Sequence, residues 1–232
     1  MKTIGLIGGM SWESTLEYYR VINQAVRERL GGQHSAKILL YSVDFHEIEK
    51  LQREDGWAQT AAILSDAAQR LERGGADFVL ICTNTMHKVA PDVADSLRIP
   101  LLHIADATGE AVATAGISKV GLLGTRYAME GDFLKGYLRD RYALEVIVPA
   151  PRERQIVHRV IFEELCLGRI EAESRSAYGR IIAGLAAAGA EGVILGCTEI
   201  PLLIRPGDVS LPVFDTTALH ALKAVDIALA GD

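Results

Sequence analysis

Three short segments of this 232-residue chain recur, in the same order, about half a chain later. Ile4-Gly5-Leu6-Ile7-Gly8 returns as Val120-Gly121-Leu122-Leu123-Gly124, an offset of 116 residues. Gly75-Ala76-Asp77-Phe78-Val79-Leu80-Ile81 returns as Gly189-Ala190-Glu191-Gly192-Val193-Ile194-Leu195 at 114, and Ile99-Pro100-Leu101-Leu102 as Leu211-Pro212-Val213-Phe214 at 112. A nearly constant offset across ordered segments marks two related structural units. Their apolar runs read as buried strands, as do Lys37 to Val43 and Phe78 to Cys82. Between them, Trp12 to Leu30 carries helical spacing and stops at Gly31-Gly32. Trp57 to Arg73 does the same before Gly74-Gly75, and Glu153 to Leu167 reads as a further helix. Strands alternating with helices of this length predict an α/β fold whose parallel sheets are covered on both faces.

Composition narrows the function classes. Lys and Arg number 24 against 30 Asp and Glu, a formal charge of −6, which disfavours general binding to nucleic acid or an anionic membrane. No apolar run is long enough to span a bilayer, and the N-terminal apolar stretch is too short for a signal peptide. The three cysteines, Cys82, Cys166 and Cys197, are odd in number and widely spaced. They form neither a disulfide framework nor a paired metal motif, so a reduced, cytoplasmic protein without a metal is expected. The Gly8-Gly9 turn lacks the Gly-x-Gly-x-x-Gly spacing of a dinucleotide loop.

In parallel sheets, functional loops follow the C-terminal ends of the strands. The offset of 114 sets Thr83-Asn84-Thr85 against Cys197-Thr198-Glu199, both just past matching strands. Two readings of Cys197 fit. At a strand end and helix start its thiol would be lowered toward the thiolate by the helix dipole; alternatively it is a small buried apolar residue. Thr83, Asn84, Thr85 and Thr198 supply neutral donors for a carboxylate, or cap helices. Cys82, one residue before Thr83, is expected to face the core. Cys166 reads as packing, and His87 as a structural or acid/base histidine.

Gly8-Gly9-Met10-Ser11-Trp12-Glu13-Ser14-Thr15, Thr83-Asn84-Thr85-Met86-His87 and Leu195-Gly196-Cys197-Thr198-Glu199-Ile200 together resemble the aspartate/glutamate racemase family, in its bacterial broad-specificity amino-acid racemase branch. The resemblance spans essentially the whole chain. It implies two pseudo-symmetric flavodoxin-like lobes, divided as 1–103 with 217–232 and as 104–216, with the active site in a cleft between them. It also implies no cofactor, a small amino-acid substrate and a homodimer. Family members use two opposed cysteines, one removing the α-proton and the other returning a proton to the opposite face. By the resemblance Cys197 is the second-lobe residue, acting on the L-enantiomer, and the first-lobe position falls on Thr83. Asn84, Thr85 and Thr198 would hold the substrate carboxylate and amine, with Met10, Gln52 and Glu164 as further contacts. Arg53, Lys88 and Arg126 are basic candidates for the substrate side chain.

Thr83 departs from the pattern, because most members carry Cys there. A hydroxyl has no accessible anion near neutral pH and cannot replace a thiolate base directly. The expectation is therefore an asymmetric, slow racemase of acidic amino acids. Two rivals keep the fold: a decarboxylase or cis–trans isomerase of a small dicarboxylic acid using one thiol, and a binding module for a small carboxylate.

Overall fold

The computed structural model describes residues 1–230; the last two residues of the expected 217–232 segment lie outside the described residues. The chain divides into two compact units, Met1–Ile104 together with the segment from His220 onward, and Ala105–Leu219.

The first unit runs β1 (Ile4–Gly8), α1 (Trp12–Leu30), β2 (Ile38–Ser42), α2 (Phe45–Arg53), α3 (Trp57–Arg73), β3 (Phe78–Ile81), a 3₁₀ turn (Thr85–Val89), α4 (Ala90–Asp95) and β4 (Leu101–Leu102). Its four strands are parallel, in the order β2-β1-β3-β4. The two-residue alternation of a strand explains why these runs are apolar throughout. Ile4, Leu6, Phe78, Leu80 and Cys82 face Tyr18, Ile22 and Val26 of α1. Ile7, Val79 and Ile81 face the other way, onto Leu64, Ala67 and Leu71 of α3. Cys82 is thus in the core, where burial pushes its thiol up. The strand stops at Ile81, although the Cys82 amide still donates to the Ile7 carbonyl at 2.9 Å.

The second unit follows with α5 (Ile104–Thr114), β5 (Lys119–Gly124), α6 (Arg126–Glu130), α7 (Asp132–Tyr142), β6 (Glu145–Ile147), α8 (Pro151–Glu163), a 3₁₀ turn (Leu165–Leu167), α9 (Ala172–Ala187), β7 (Gly192–Gly196), α10 (Ile200–Leu203), β8 (Val213–Asp215) and α11 (Thr216–Leu229). Its strands are also all parallel, ordered β6-β5-β7-β8, the same plan as the first sheet. Val120, Leu122 and Ile194 pack toward α5 and α7, while Leu123, Val193 and Leu195 pack toward α8 and α9. From His220 onward α11 belongs to the first unit, where Ala221, Ala224 and Val225 pack with Ile4 and Leu6.

The expected helix from Glu153 to Leu167 differs at both ends. Pro151 opens α8 in its first turn, where its fixed φ and missing N–H cost nothing. The helix ends at Glu163, and Glu164, with φ −123° and ψ −68°, leads into the 3₁₀ turn that Gly168 closes in the left-handed region. Among the described residues, no helix is long and apolar enough to cross a membrane.

Candidate functional site

In each unit the residues singled out by the sequence, apart from Gln52 on α2 and Glu164 after α8, follow the C-terminal ends of the central strands. In the first unit β1 and β3 are neighbours, with Ile7 paired to Ile81, so Gly8-Gly9-Met10 and Thr83-Asn84-Thr85 leave the sheet side by side. Ser11 caps α1 by accepting the Ser14 amide, and Thr15 Oγ1 accepts the Gly9 amide at 2.9 Å while donating to the Ser11 carbonyl at 2.8 Å. This small network fixes the turn carrying Met10, which is buried among Ile7, Ile48 and Ile81. Gln52 lies one helical turn beyond Ile48 on α2 and shares its buried face.

Thr83 is half-buried, whereas Asn84 and Thr85 are buried. The 3₁₀ turn that follows has no side-chain cap from Asn84, so this amide is not engaged as a helix cap. His87 instead ties the segment down, with Nδ1 2.8 Å from the Thr83 carbonyl oxygen.

In the second unit Gly124 of β5 pairs with Gly196 of β7. A Cβ on Gly124 would stand 2.7 Å from the Gly196 carbonyl oxygen, so this close approach requires glycine. The chain then turns, and Cys197, Thr198 and Glu199 are all buried. The Cys197 thiol donates to Glu199 Oε2 at 2.9 Å, and the Thr198 hydroxyl donates to the same oxygen at 2.8 Å.

These contacts correct two sequence expectations. The helix after Cys197 is the single turn of α10, beginning three residues later, with no side-chain cap from Thr198. Its dipole is too short and too distant to govern the thiol, since the effect is confined to a helix's first turn. Burial instead pushes the Cys197 thiol well above its usual range, and the Glu199 carboxylate adds to the rise.

Glu164 sits beside this group. It accepts the Ser174 hydroxyl at 2.6 Å. Tyr178, whose hydroxyl donates to the Val157 carbonyl at 3.0 Å, is held well above the usual phenol range by burial, then by the nearby Cys197 and Glu164. Cys166 packs against the same core and contributes to the raised Cys197 thiol. Glu199 and Tyr178 are the site residues that sequence reasoning passed over. Glu199 had a signal: it is the one acid in the apolar stretch from Gly192 to Ile204, where a carboxylate needs a reason to be buried. Tyr178 had none, because its neighbours come from distant sequence.

The second unit therefore offers a buried thiol and carboxylate in direct contact. The first offers neutral polar groups at the equivalent strand end. Among the described residues no group of three or more His, Cys, Asp or Glu side chains is placed to hold a metal ion.

A Yersinia pestis protein provisionally assigned as an Asp/Glu racemase has a crystal structure that superposes with a TM-score of 0.93, at 57% identity, covering 99% of this chain and 100% of that one. An aspartate racemase homologue from Pyrococcus horikoshii OT3 superposes with a TM-score of 0.86 at 40% identity, covering 98% and 99%. The broad-specificity amino-acid racemase RacX of Bacillus subtilis (strain 168) is 21% identical over 235 aligned residues, 98% of each chain. The Asp/Glu/hydantoin racemase family model matches residues 7–224. The chain belongs to the Asp/Glu/hydantoin racemase family and is, with it, an isomerase.

Proposed function

We propose that this protein racemises acidic amino acids, aspartate and glutamate, without a cofactor, and that it does so slowly. The observation that carries this reading is the Cys197 thiol, set at the end of a central parallel strand and hydrogen-bonded to a buried carboxylate. The family membership supplies the reaction class.

Cys197 acts as a sulfur base on the α-proton of the L-enantiomer. The electron pair left on Cα spreads into the substrate carboxylate, which the amides and hydroxyls of Asn84, Thr85 and Thr198 stabilise. Thr198 already donates its hydroxyl to Glu199, so its backbone N–H is the group left for substrate. Met10, Gln52 and Glu164 contribute further contacts. Thr83 serves the opposite face of Cα; this part rests on the sequence offset of 114 residues and on the family resemblance.

Oxygen at position 83 sets the kinetic character. Enantiomers have equal free energy, so a reversible racemase has equal kcat/KM in both directions. If Thr83 abstracts poorly, full racemisation is slow both ways, while α-proton exchange of one enantiomer through Cys197 stays faster. The test incubates each enantiomer of aspartate and glutamate in deuterated water and follows chirality and α-deuterium separately. Exchange of the L-enantiomers outrunning loss of chirality is the expected result, and no exchange with any amino acid removes the reading. The protein acts as a homodimer in the cytoplasm, as the resemblance implies; light scattering and cell fractionation check both.

A further inference from the structure

The Cys197 thiol faces a difficulty as a base: its surroundings oppose the anion that the reaction needs. It is buried, and burial and the Glu199 carboxylate both push its proton affinity up. The other titratable groups around it do not relieve this. Tyr178 holds its proton and spends its hydroxyl on the Val157 carbonyl, Glu164 is engaged by Ser174, and Cys166 is another thiol whose proximity raises Cys197 further. Of the groups acting on this thiol, only the Glu199 backbone N–H favours the anion. A free thiolate would add a second negative charge to a buried site.

Glu199 offers a way around that second charge. It is buried, it lies in hydrogen-bond contact with the sulfur, and the same oxygen accepts the Thr198 hydroxyl. Of the two donors at this oxygen only the thiol has an accessible anion, so the proton the carboxylate can take is the one on sulfur. We propose that Glu199 is the proton acceptor that converts the Cys197 thiol into the thiolate, and is thus a third catalytic group beside Cys197 and Thr83. This role rests on Cys197 acting as the base.

The proton balance is simple. The Sγ–H proton passes to Glu199 Oε2, leaving a thiolate beside a neutral carboxylic acid, so the pair carries one negative charge before and after. The thiolate lone pair then takes the substrate α-proton, forming a new S–H bond, and the C–H bonding electrons remain on Cα. Return of a proton to Cα from sulfur, followed by return of the Glu199 proton to sulfur, restores the starting state. Solvent deuterium enters when either acidic position exchanges. The Thr198 hydroxyl keeps the carboxylate oxygen aimed at the sulfur.

The experiment compares the wild type with Glu199→Gln and Glu199→Asp by α-deuterium exchange from L-aspartate and L-glutamate, with kcat, KM and pH profile read separately. Glutamine keeps the shape and an acceptor oxygen but not the basicity. Glu199→Gln is expected to lower kcat for exchange by about 100-fold near neutral pH, within the usual range for a lost general base, with KM little changed. Its residual rate should climb about tenfold per pH unit as the thiol itself ionises. Glu199→Asp should recover part of the loss. The wild-type rate should show no tenfold-per-unit rise above neutrality, because thiolate formation by transfer within the pair leaves its net charge unchanged. Wild-type exchange matched by Glu199→Gln, with the same pH profile, overturns the role while leaving the racemase reading intact. Absence of wild-type exchange removes the racemase reading itself. Should Glu199→Gln not fold, the wild type alone decides: a rate still rising tenfold per unit above neutrality overturns the proposal.

Discussion

The imidazole of His87 holds Thr83 by its main chain: Nδ1–H donates to the Thr83 carbonyl oxygen across 2.8 Å, while Nε2 accepts the Ile104 amide at 3.1 Å. A backbone N–H can only donate, so the Nε2 lone pair is committed and the proton sits on Nδ1. His220 is fixed in the same manner. Its Nε2–H donates to the Leu102 carbonyl at 3.0 Å, and its Nδ1 accepts the Tyr18 hydroxyl at 2.8 Å. Two neutral rings therefore join the ends of β3 and β4 to α1 and α11, and neither can take a proton without breaking a bond. Burial lowers His87 well below the usual histidine range, with His103 adding to the effect, and burial brings His220 down to about 3. In the unfolded chain both titrate near about 6.5. The folded state thus binds fewer protons than the unfolded one below that pH, and stability falls as acid is added. Each histidine contributes a slope of about 1.4 kcal/mol per pH unit once below about pH 6. Urea unfolding at about pH 7 and about pH 5 measures the slope, and His220→Gln should flatten it. A steepness unchanged by that substitution counts against the assignment.

Cys197→Ala should abolish α-deuterium exchange with every amino acid, a drop of at least about 1,000-fold, since the second unit's other cysteine, Cys166, lies in the 3₁₀ turn after α8 and not at a strand end. Thr83→Cys should raise the rate of racemisation toward that of exchange, by supplying an ionisable group where a hydroxyl stands. Chirality and deuterium content followed in one sample read both variants. A Cys197→Ala protein that still exchanges would refute the mechanism.

The three cations considered for the substrate side chain differ in what they already bind. Arg53 pairs with Glu49 at 2.9 Å. Lys88 lies 3.8 Å over the Trp57 ring and 4.0 Å from Asp55. Arg126 follows Gly124 by two residues, at the strand end next to Cys197, and has no carboxylate at ion-pair distance among the described residues. Its backbone N–H is anchored on His158 Nδ1 at 3.2 Å, and its guanidinium lies 5.4 Å from the Tyr127 ring centroid. Arg126→Gln should therefore raise KM for aspartate and glutamate by about tenfold or more, the value of one hydrogen bond to a charged group, with a smaller change in kcat. Arg53→Gln should do little. Steady-state kinetics on the two variants separates them, and equal KM values would discard Arg126 as the distal carboxylate's partner.

Much of this fold is legible in the sequence because the signals are local. The bounds of α1 and α3 follow from apolar spacing and the glycines after them, and the two sheets follow from short apolar runs repeated at a constant offset. The offset also places Thr83 and Cys197 at the strand ends from which loops leave. What stays hidden depends on neighbours distant in sequence or on a turn's exact path. The raised Cys197 thiol could not be read, because the sequence does not say that the following helix is a single turn or that the Glu199 side chain folds back onto sulfur. The break at Glu164 is equally silent, since Ser174, which holds its carboxylate, is ten residues further on. The tautomer of His87 needs Ile104, which arrives from beyond β4.

The first turn after β1 offers a test of the scaffold separate from the chemistry. Gly9 has φ +91°, a region that side-chain-bearing residues rarely occupy. Its missing side chain matters as well, because a Cβ would lie 2.3 Å from the Val43 carbonyl oxygen and 2.8 Å from Ser42 Oγ. Neither neighbour can yield freely: the Val43 amide is bonded to the Gly8 carbonyl at 3.0 Å, and Ser42 is the last residue of β2, paired with Gly8. Gly9→Ala thus combines unfavourable backbone geometry with a backbone clash, and should destabilise the protein by about 2 kcal/mol or more. Gly31→Ala is the control. It too has positive φ, at +75°, but a Cβ there meets nothing within 4 Å, so it should cost about 1 kcal/mol. If thermal unfolding gives the two variants the same loss, the packing of the turn against Val43 is not what requires glycine. If Gly9→Ala is the more damaging, the turn that carries Met10 is held from both sides, by Thr15 beneath the Gly9 amide and by Val43 across it.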